Sequence, residues 1–137
     1  MFAYLRKAQY HETDQVGIIH HSNYVKWMEE ARIAFMDETG MSYRSLEESG
    51  VVSPVVSIAV EYRKPAGFDD EIEIRVSVGK YSGARLELAY TMFNRTKGEV
   101  CAEASSVHCF MKDGRLISLK RSVPELDRRI SAADLRG

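Results

Sequence analysis

A short polar segment near the N-terminus carries residue types that suit acyl-transfer chemistry. Asp14 lies within Thr13-Asp14-Gln15-Val16-Gly17, and the histidine pair His20-His21 follows closely. A carboxylate can attack a carbonyl carbon itself, or it can remove a proton from an attacking water molecule. Imidazole can serve as a general base near neutral pH. These residue types could therefore form an acyl-transfer site that includes Asp14.

A predicted helix follows this segment directly and starts at Ser22 or Asn23, either of which is a good N-cap residue. It runs to Thr39, and Gly40 suits the left-handed position beyond a helix end. The residues of its predicted buried face recur at helical spacing and are Tyr24, Trp27, Met28, Ala31 and Phe35, widened by Val25, Ile33, Ala34 and Met36. Unpaired backbone N–H groups at such a helix start can polarise a carbonyl.

Simpler interpretations of the same residues stay open. Asp14 could organise the loop as an Asx turn, since Asp commonly does so. The ring of His21 could act as a general base, although its backbone N–H beside the helix start is the preferred interpretation. Together with His11 the histidines could hold a metal ion, but adjacent histidines diverge in direction. The spacing matches no established metal motif, so we expect neither a metal nor another cofactor.

Alternating apolar and polar residues predict an antiparallel sheet in the second half of the chain. The clearest strand is Glu71 to Val78, and Val56 to Tyr62 and Leu86 to Met92 repeat its pattern. Further strands are predicted at 2–10, 100–111 and 116–119, and short helices at 43–48 and 124–130. The predicted tight turns contain Gly or Asp and are Ser82-Gly83, Thr96-Lys97-Gly98 and Lys112-Asp113-Gly114.

Composition limits the class of protein. The chain has 137 residues, 45% hydrophobic and 28% charged, which predicts one domain spanning 1–137. Because the net charge is only −1, a nucleic-acid partner has little electrostatic support. No secretory signal or membrane-spanning run is evident, so we expect a cytoplasmic protein without a membrane span. We expect Cys101 and Cys109 to be reduced thiols, since eight positions along a strand separate them too far for bonding.

The Asp14 segment resembles the N-terminal signature of a known enzyme family. The pattern Thr-Asp-x-x-Gly-x-x-x-His-x-x-Tyr, continued by Trp27, Glu30, Ala31 and Arg32, is similar to that of the 4-hydroxybenzoyl-CoA thioesterase family. The similarity extends through the stretch 57–70 and the turn 112–115. It implies an α+β hotdog fold, in which an antiparallel sheet of five or six strands wraps a long central helix.

The resemblance also implies roles for individual residues. Asp14 matches the catalytic aspartate, Gly17 the glycine that turns the chain toward the helix, and His21 the position whose N–H faces the thioester carbonyl. Tyr24 would line the acyl pocket or support the helix start. Basic side chains would hold the coenzyme A phosphates; the candidates, with loose correspondence, are Lys80, Arg85, Lys120 and Arg121, of which Arg85 and Arg121 rank first.

These residues together predict an acyl-CoA thioesterase that acts on a small-molecule acyl- or aroyl-CoA. The alternatives are a hotdog acyl-thioester hydratase or dehydratase, and a non-catalytic acyl-CoA-binding module. The resemblance further implies a homodimer with joined sheets, commonly paired again into a homotetramer. The sequence leaves open the acyl group, the pathway and the role of Asp14 as nucleophile or base.

Overall fold

The protein is described by a computed structural model that covers residues 2–136 and the side chains up to Ala133. Its strands are β1 (Phe2–Lys7), β2 (Val51–Val52), β3 (Val55–Tyr62), β4 (Glu71–Tyr81), β5 (Arg85–Asn94), β6 (Glu99–Cys109), β7 (Met111–Lys112) and β8 (Arg115–Leu116). The helices are α1 (Ser22–Glu38), α2 (Tyr43–Glu48), α3 (Leu119–Ser122) and α4 (Pro124–Arg136), and a 3₁₀ turn spans Tyr10–Glu12.

The main sheet has five antiparallel strands in the order β1-β4-β5-β6-β3, which confirms the predicted sheet. Strands β4, β5 and β6 form a meander through short hairpins, as the turn residues predict. Strand β3 does not continue that meander. It pairs with β6 at the far edge, with Ile58 opposite Ser106, so residues 63–70 connect it across the sheet to β4.

Helix α1 packs across one face of this sheet. Trp27 and Ala31 are fully buried, and they meet the inward residues of β4 and β5, such as Ile74 and Leu88. The predicted helix face is too wide, because Val25 and Ile33 are 39% and 42% exposed. A sequence pattern shows which residues are apolar but not whether the same chain covers them.

Several predicted boundaries are wrong by a few residues. The first strand ends at Lys7, because the chain turns into the 3₁₀ segment. Buried Phe110 interrupts the predicted strand 100–111, after which β7 pairs with β2 in a separate three-stranded sheet. Leu119 begins α3 rather than ending a strand. The predicted helix 43–48 is confirmed, and α4 extends the predicted helix 124–130 to Arg136.

No helix that the structure describes is both long and apolar enough to cross a bilayer. Both cysteines are free thiols, as the sequence predicts. Cys101 is buried in β6, and burial raises the pKa of its thiol to about 11, so it is a poor nucleophile at neutral pH.

Candidate active site

A cleft of about 420 Å³ opens where three segments meet: the loop 13–20, the start of α1 and the end of β3. Two of its residues, Asp14 and His21, are the pair that the sequence places at the catalytic centre. The structure therefore brings the predicted carboxylate and the helix N-terminus to one cavity. The complete lining is Asp14, Ile18, Ile19, His21, Tyr24, Tyr62, Arg63, Lys64 and Pro65.

One carboxylate oxygen of Asp14 holds its own loop together. Its Oδ1 accepts hydrogen bonds from the N–H groups of Val16 at 2.8 Å and Gly17 at 3.1 Å. This is the Asx-turn arrangement, so the simpler interpretation of Asp14 describes part of its role. Its Oδ2 has no hydrogen-bond partner among the described residues. Asp14 can therefore stabilise the loop with one oxygen while the other remains available for chemistry.

Gly17 gives this loop its shape. Its φ of +92° lies in the region that L side chains rarely adopt, and its N–H also donates to the Asp14 carbonyl at 3.1 Å. The chain then returns, with the Asp14 N–H donating to the Ile18 carbonyl at 2.8 Å. Gly17 does not line the cleft, so it acts on the site by fixing the turn that presents Asp14.

His21 occupies the N-cap position of α1, and its backbone rather than its ring is fixed. Its carbonyl accepts a hydrogen bond from the Tyr62 hydroxyl at 3.0 Å, while its imidazole is exposed and stacks on His20. Its N–H has no partner among the described residues. The neighbouring N–H of Ser22 is instead bonded to Nδ1 of His20 at 3.2 Å. One backbone donor, that of His21, is therefore free for a ligand.

Tyr24 and Tyr62 form the aromatic wall of the cleft. Their rings meet edge to face, with centroids 5.0 Å apart. Tyr24 is 3% exposed, and burial, followed by the nearby Cys101, raises the pKa of its phenol well above the ordinary value. Tyr24 therefore stays neutral and contributes an apolar surface. Tyr62 is a cleft residue that the sequence interpretation did not single out, because it appeared only as one residue of a strand.

A buried carboxylate behind the cleft is a second feature that the sequence interpretation missed. Glu12 accepts hydrogen bonds from Arg6 Nη1 at 2.7 Å, Gln9 N–H at 2.8 Å and Trp27 Nε1 at 3.0 Å. Burial alone raises the pKa of Glu12, but these three donors outweigh burial and hold its pKa below the ordinary value. The Glu12 carbonyl also accepts a hydrogen bond from the His20 N–H at 2.9 Å. Glu12 therefore connects the two ends of the loop 13–20.

The predicted phosphate-binding residues lie elsewhere in the chain. Arg85 is opposite Cys109, whereas the cleft residue Tyr62 is opposite Ala102. These two β6 residues are seven steps apart along the strand, which is roughly 23 Å. Arg121 lies on α3, beside the β4–β5 hairpin that also carries Arg85. A single chain thus does not bring Arg85 and Arg121 to Asp14, and their substrate-binding role stays a prediction. The cations that do line the cleft are Arg63 and Lys64.

Among the residues that the structure describes, no three His, Cys, Asp or Glu side chains lie close enough to share a metal ion. The nitrogen Nδ1 of His20 contacts the Ser22 hydroxyl at 2.8 Å. Within the described range neither His20 nor His21 is paired with a carboxylate. In this cleft the Asp14 carboxylate can act as a nucleophile or base, and the His21 N–H can donate to a carbonyl oxygen.

Comparison with known proteins identifies the family of the chain. Residues 8–131 match the model of the thioesterase-like superfamily. The chain is 34% identical over 121 residues to the candidate acyl-CoA thioesterase YneP of Bacillus subtilis, covering 87% of each chain. It is 29% identical over 94 residues to the acyl-CoA thioester hydrolase YbgC of Escherichia coli O6:H1, covering 69% of this chain and 70% of YbgC.

Comparison with a solved structure supports the hotdog fold. The DHNA-CoA thioesterase of Staphylococcus aureus superposes with a TM-score of 0.90 at 32% identity, covering 97% of this chain and 90% of that one. The predicted hotdog fold and the predicted family are thereby confirmed. With a family match that spans most of its length and relatives above 30% identity, the chain belongs to the thioesterase-like superfamily of hotdog proteins, as an enzyme of the 4-hydroxybenzoyl-CoA thioesterase type.

Proposed function

We propose that this protein hydrolyses the thioester bond of an acyl- or aroyl-CoA in the cleft between Asp14 and His21. The observation that carries this proposal is that one cleft is lined by Asp14, which has an unpartnered carboxylate oxygen, and by His21, which has an unpartnered N–H at a helix start. A thioester oxygen that accepts from the His21 N–H gains stabilisation as negative charge develops on it. One such donor is typically worth about 3 to 4 kcal/mol in the transition state.

Asp14 then supplies the second half of the reaction. As a nucleophile it would attack the carbonyl carbon, form a mixed anhydride and release the CoA thiolate; water would then hydrolyse the anhydride. As a general base it would take a proton from water while the water oxygen attacks. The C–S bond would break, and the proton would pass to the departing thiolate. Both routes balance, and both use the Asp14 oxygen that the loop leaves free.

The hydratase alternative is less well supported by this site. A hydratase needs an imidazole paired with a carboxylate and aimed at the carbons next to the carbonyl. Here the His20 ring contacts Ser22, and His21 stacks on His20 with ring centroids 4.3 Å apart. The similarity to YbgC and to a DHNA-CoA thioesterase also favours hydrolysis over hydration. Because the acyl group of DHNA-CoA is an aroyl group, aroyl-CoAs should be included among the substrates tested.

The open edge of β3 supports the proposed oligomer. On the side away from β6 this strand has no partner in the described chain, and it exposes Val55, Val56 and Ile58. An uncovered apolar edge strand is a ready site for pairing with another chain. We propose that each copy of the domain 1–137 pairs there in a homodimer, which can associate again into a tetramer. A partner chain could also bring Arg85 or Arg121 to the coenzyme A phosphates.

We also propose a cytoplasmic location for the active enzyme. Two unpaired cysteines fit a reducing compartment, where thiols are kept free. Fractionation of cells that produce the protein, with activity measured in each fraction, would test this location. Activity confined to a secreted fraction would contradict it.

The deciding experiment is hydrolysis of an acyl-CoA panel with detection of the free thiol. Asp14→Asn should lower kcat by about 100-fold or more, because an amide can neither attack nor accept a proton effectively. Asp37→Asn is the matched control: Asp37 is an exposed carboxylate on α1 that does not line the cleft. Full activity in Asp14→Asn would refute the mechanism. Binding without hydrolysis would favour the acyl-CoA-binding module, and hydration of enoyl-CoA would favour the hydratase.

A further inference from the structure

A second, smaller cavity of about 120 Å³ lies between α1 and β3, and it shares no lining residue with the active cleft. Its volume equals that of about four water molecules. It can therefore take the end of an acyl group but not a whole one. Its lining combines apolar walls with polar side chains and consists of Val25, Met28, Glu29, Arg32, Val55, Ile58, Tyr90 and Ser106.

The linings of the two cavities follow one another along the junction of α1 and β3, which we call the groove. At the active cleft the start of α1 contacts the end of β3, through the hydrogen bond of Tyr62 to the His21 carbonyl. Farther along α1 the neighbours are Val55 and Ile58, which come earlier in β3, so helix and strand run in opposite directions. From His21 the helix rises about 6 Å to Val25 and about 16 Å to Arg32. An acyl chain that starts at His21 and follows the groove would reach the second cavity.

The polar side of this cavity is formed by the hydroxyl groups of Tyr90 and Ser106, and one of their two hydrogens has no acceptor. Tyr90 and Ser106 share a hydrogen bond of 2.7 Å, which uses only one of their two hydroxyl hydrogens. Ser106 also contacts His108 Nε2 at 2.7 Å, and His108 Nδ1 lies 3.4 Å from Arg32 Nη1. Because arginine can only donate, Nδ1 accepts and Nε2 carries the ring hydrogen toward Ser106. One hydroxyl hydrogen of the Tyr90–Ser106 pair is therefore free to donate into the cavity.

Arg32 adds a second unused donor. Its Nε is buried without a hydrogen-bond partner, and it is the one such side-chain atom found in the described part of the protein. The guanidinium lies over the Tyr43 ring at 5.8 Å, and no carboxylate within residues 2–133 comes within 4 Å of it. A buried N–H without an acceptor lowers the stability of the folded protein, and a ligand oxygen that accepts from it would remove this free-energy cost.

We propose that this cavity binds the far end of the acyl group and selects acyl chains that carry a hydrogen-bond-accepting oxygen there, a carboxylate or a hydroxyl. The proposal rests on the proposed thioesterase function and adds a substrate class to it. Arg32 Nε–H and the free hydroxyl hydrogen donate to the oxygen, while Met28 and Ile58 contact the carbon chain. Acyl chains with an apolar end bind less tightly, because they leave both hydrogen-bond donors without a partner.

Glu29 distinguishes the two kinds of oxygen. It lines the same cavity, but it is exposed, so water screens its charge. Its carboxylate can accept from a terminal hydroxyl and repels a terminal carboxylate. Glu29→Gln should therefore raise the activity on a carboxylate-ended chain relative to a hydroxyl-ended chain.

The test compares eight-carbon acyl-CoAs that differ only at the far end: octanoyl-CoA, 8-hydroxyoctanoyl-CoA and suberoyl-CoA. An extended chain advances roughly 1.3 Å per carbon, so eight carbons reach about 10 Å, within the cavity. The wild type should show kcat/KM at least about 10-fold higher for one or both oxygen-ended substrates than for octanoyl-CoA, as expected for hydrogen bonds to a charged donor. Equal kcat/KM values for all three would overturn the inference, and this result does not depend on any variant folding.

Variants then assign the preference to the cavity. Arg32→Met should remove most of the preference, measured as the ratio of kcat/KM for the oxygen-ended substrate to kcat/KM for octanoyl-CoA. The double variant Tyr90→Phe/Ser106→Ala, which removes both hydroxyl groups, should lower the same ratio. Lys26→Met is the matched control, because it removes an exposed α1 cation outside the cavity and should leave the preference intact. A preference that survives both Arg32→Met and the double variant Tyr90→Phe/Ser106→Ala would overturn the inference. It would also be overturned if a partner subunit's side chain filled the cavity in an oligomer structure. Loss of all hydrolysis in the wild type would instead refute the proposed function.

Discussion

The indole Nε1 of Trp27 donates a hydrogen bond of 3.0 Å to the buried Glu12 carboxylate, and this bond joins the central helix to the loop that carries Asp14. Trp27 is fully buried and Glu12 is 5% exposed, so water does not compete for the contact. The same carboxylate also accepts from Arg6 on β1. The Asp14 loop is thus fixed to the helix and to the sheet through one side chain.

Glu12→Gln should destabilise the fold and reduce the activity together. The substitution preserves the shape of the side chain but leaves the Arg6 guanidinium buried beside a neutral amide. Because Arg6 keeps Glu30 as a second partner, the expected loss is that of a hydrogen bond to a charged group, about 1.5 to 3 kcal/mol. Urea denaturation should show this loss in the free energy of unfolding.

Glu30→Gln is the matched control for that prediction. Glu30 accepts from the same arginine, through Arg6 Nε at 3.0 Å, but its side chain is 38% exposed. Its loss should cost only about 0 to 1 kcal/mol. Equal losses in the two variants would show that Glu12 has no special role.

Gly17→Ala should lower the activity through the backbone. No neighbouring atom would contact the added methyl group, so the cost arises from the φ of +92°, at about 1 to 2 kcal/mol. Relief of that strain would shift the Asp14 loop and reduce kcat. Gly98→Ala provides the control, since its φ of +71° and open surroundings match, while it lies in the β5–β6 hairpin outside the cleft. The prediction is supported if both variants lose similar stability but only Gly17→Ala has a lower kcat than the wild type. Equal kcat values for the two variants would contradict it.

Tyr62→Phe should reduce kcat several-fold with little change in thermal stability. The ring packing against Tyr24 would remain, but the hydrogen bond to the His21 carbonyl would be lost, and with it one constraint on the helix start. A typical hydrogen bond contributes about 0.5 to 1.5 kcal/mol. Steady-state kinetics should show the effect in kcat more than in KM. Tyr10→Phe is a suitable comparison, because Tyr10 is 75% exposed and lies outside the cleft.

The stability of the protein should fall between pH 7 and pH 5 because of His108. Burial, and then the neighbouring Arg32, lower the pKa of His108 to about 4, whereas the unfolded chain titrates near 6.5. Below 6.5 the unfolded state binds the proton first, so stability is complete above that pH and is lost as pH falls toward 4. The loss from pH 7 to pH 5 should be about 2 kcal/mol.

Urea denaturation at fixed protein concentration measures this loss, and His108→Gln, which cannot titrate, is the control. The carboxyl groups of Glu12 and Asp70, whose pKa values are also lowered in the folded protein, lose their contributions only at lower pH. The same pH slope in His108→Gln and in the wild type would contradict the prediction.

Local patterns predicted most of the elements. The apolar repeat of α1 and the regular alternation from Glu71 to Val78 each determine one structure, because burial of one face selects one periodicity. The glycines at the hairpin turns have the positive φ values that such turns require, as Gly83 and Gly98 show. The Asp14 segment was predictable because its residues are contiguous in sequence.

Long-range relationships were not predictable in the same way. The position of β3 next to β6 depends on how residues 63–70 cross the sheet, and alternation within β3 does not encode its neighbour. The cleft residues Tyr62 and Lys64 are distant in sequence from Asp14, and they line the same cleft because of the position of β3 and the connection that follows it. The exposure of Val25 and Ile33 depends on what covers α1, which a periodic pattern does not show.

The strand β3 has a consequence for how the enzyme responds to dilution. One of its edges is open, its last residue is part of the active cleft, and its earlier residues line the second cavity. Whatever associates with that edge becomes a neighbour of both cavities. If the proposed homodimer forms at that edge, separating its two copies would change the shape of the substrate groove as well as the size of the particle, and turnover per chain would depend on protein concentration.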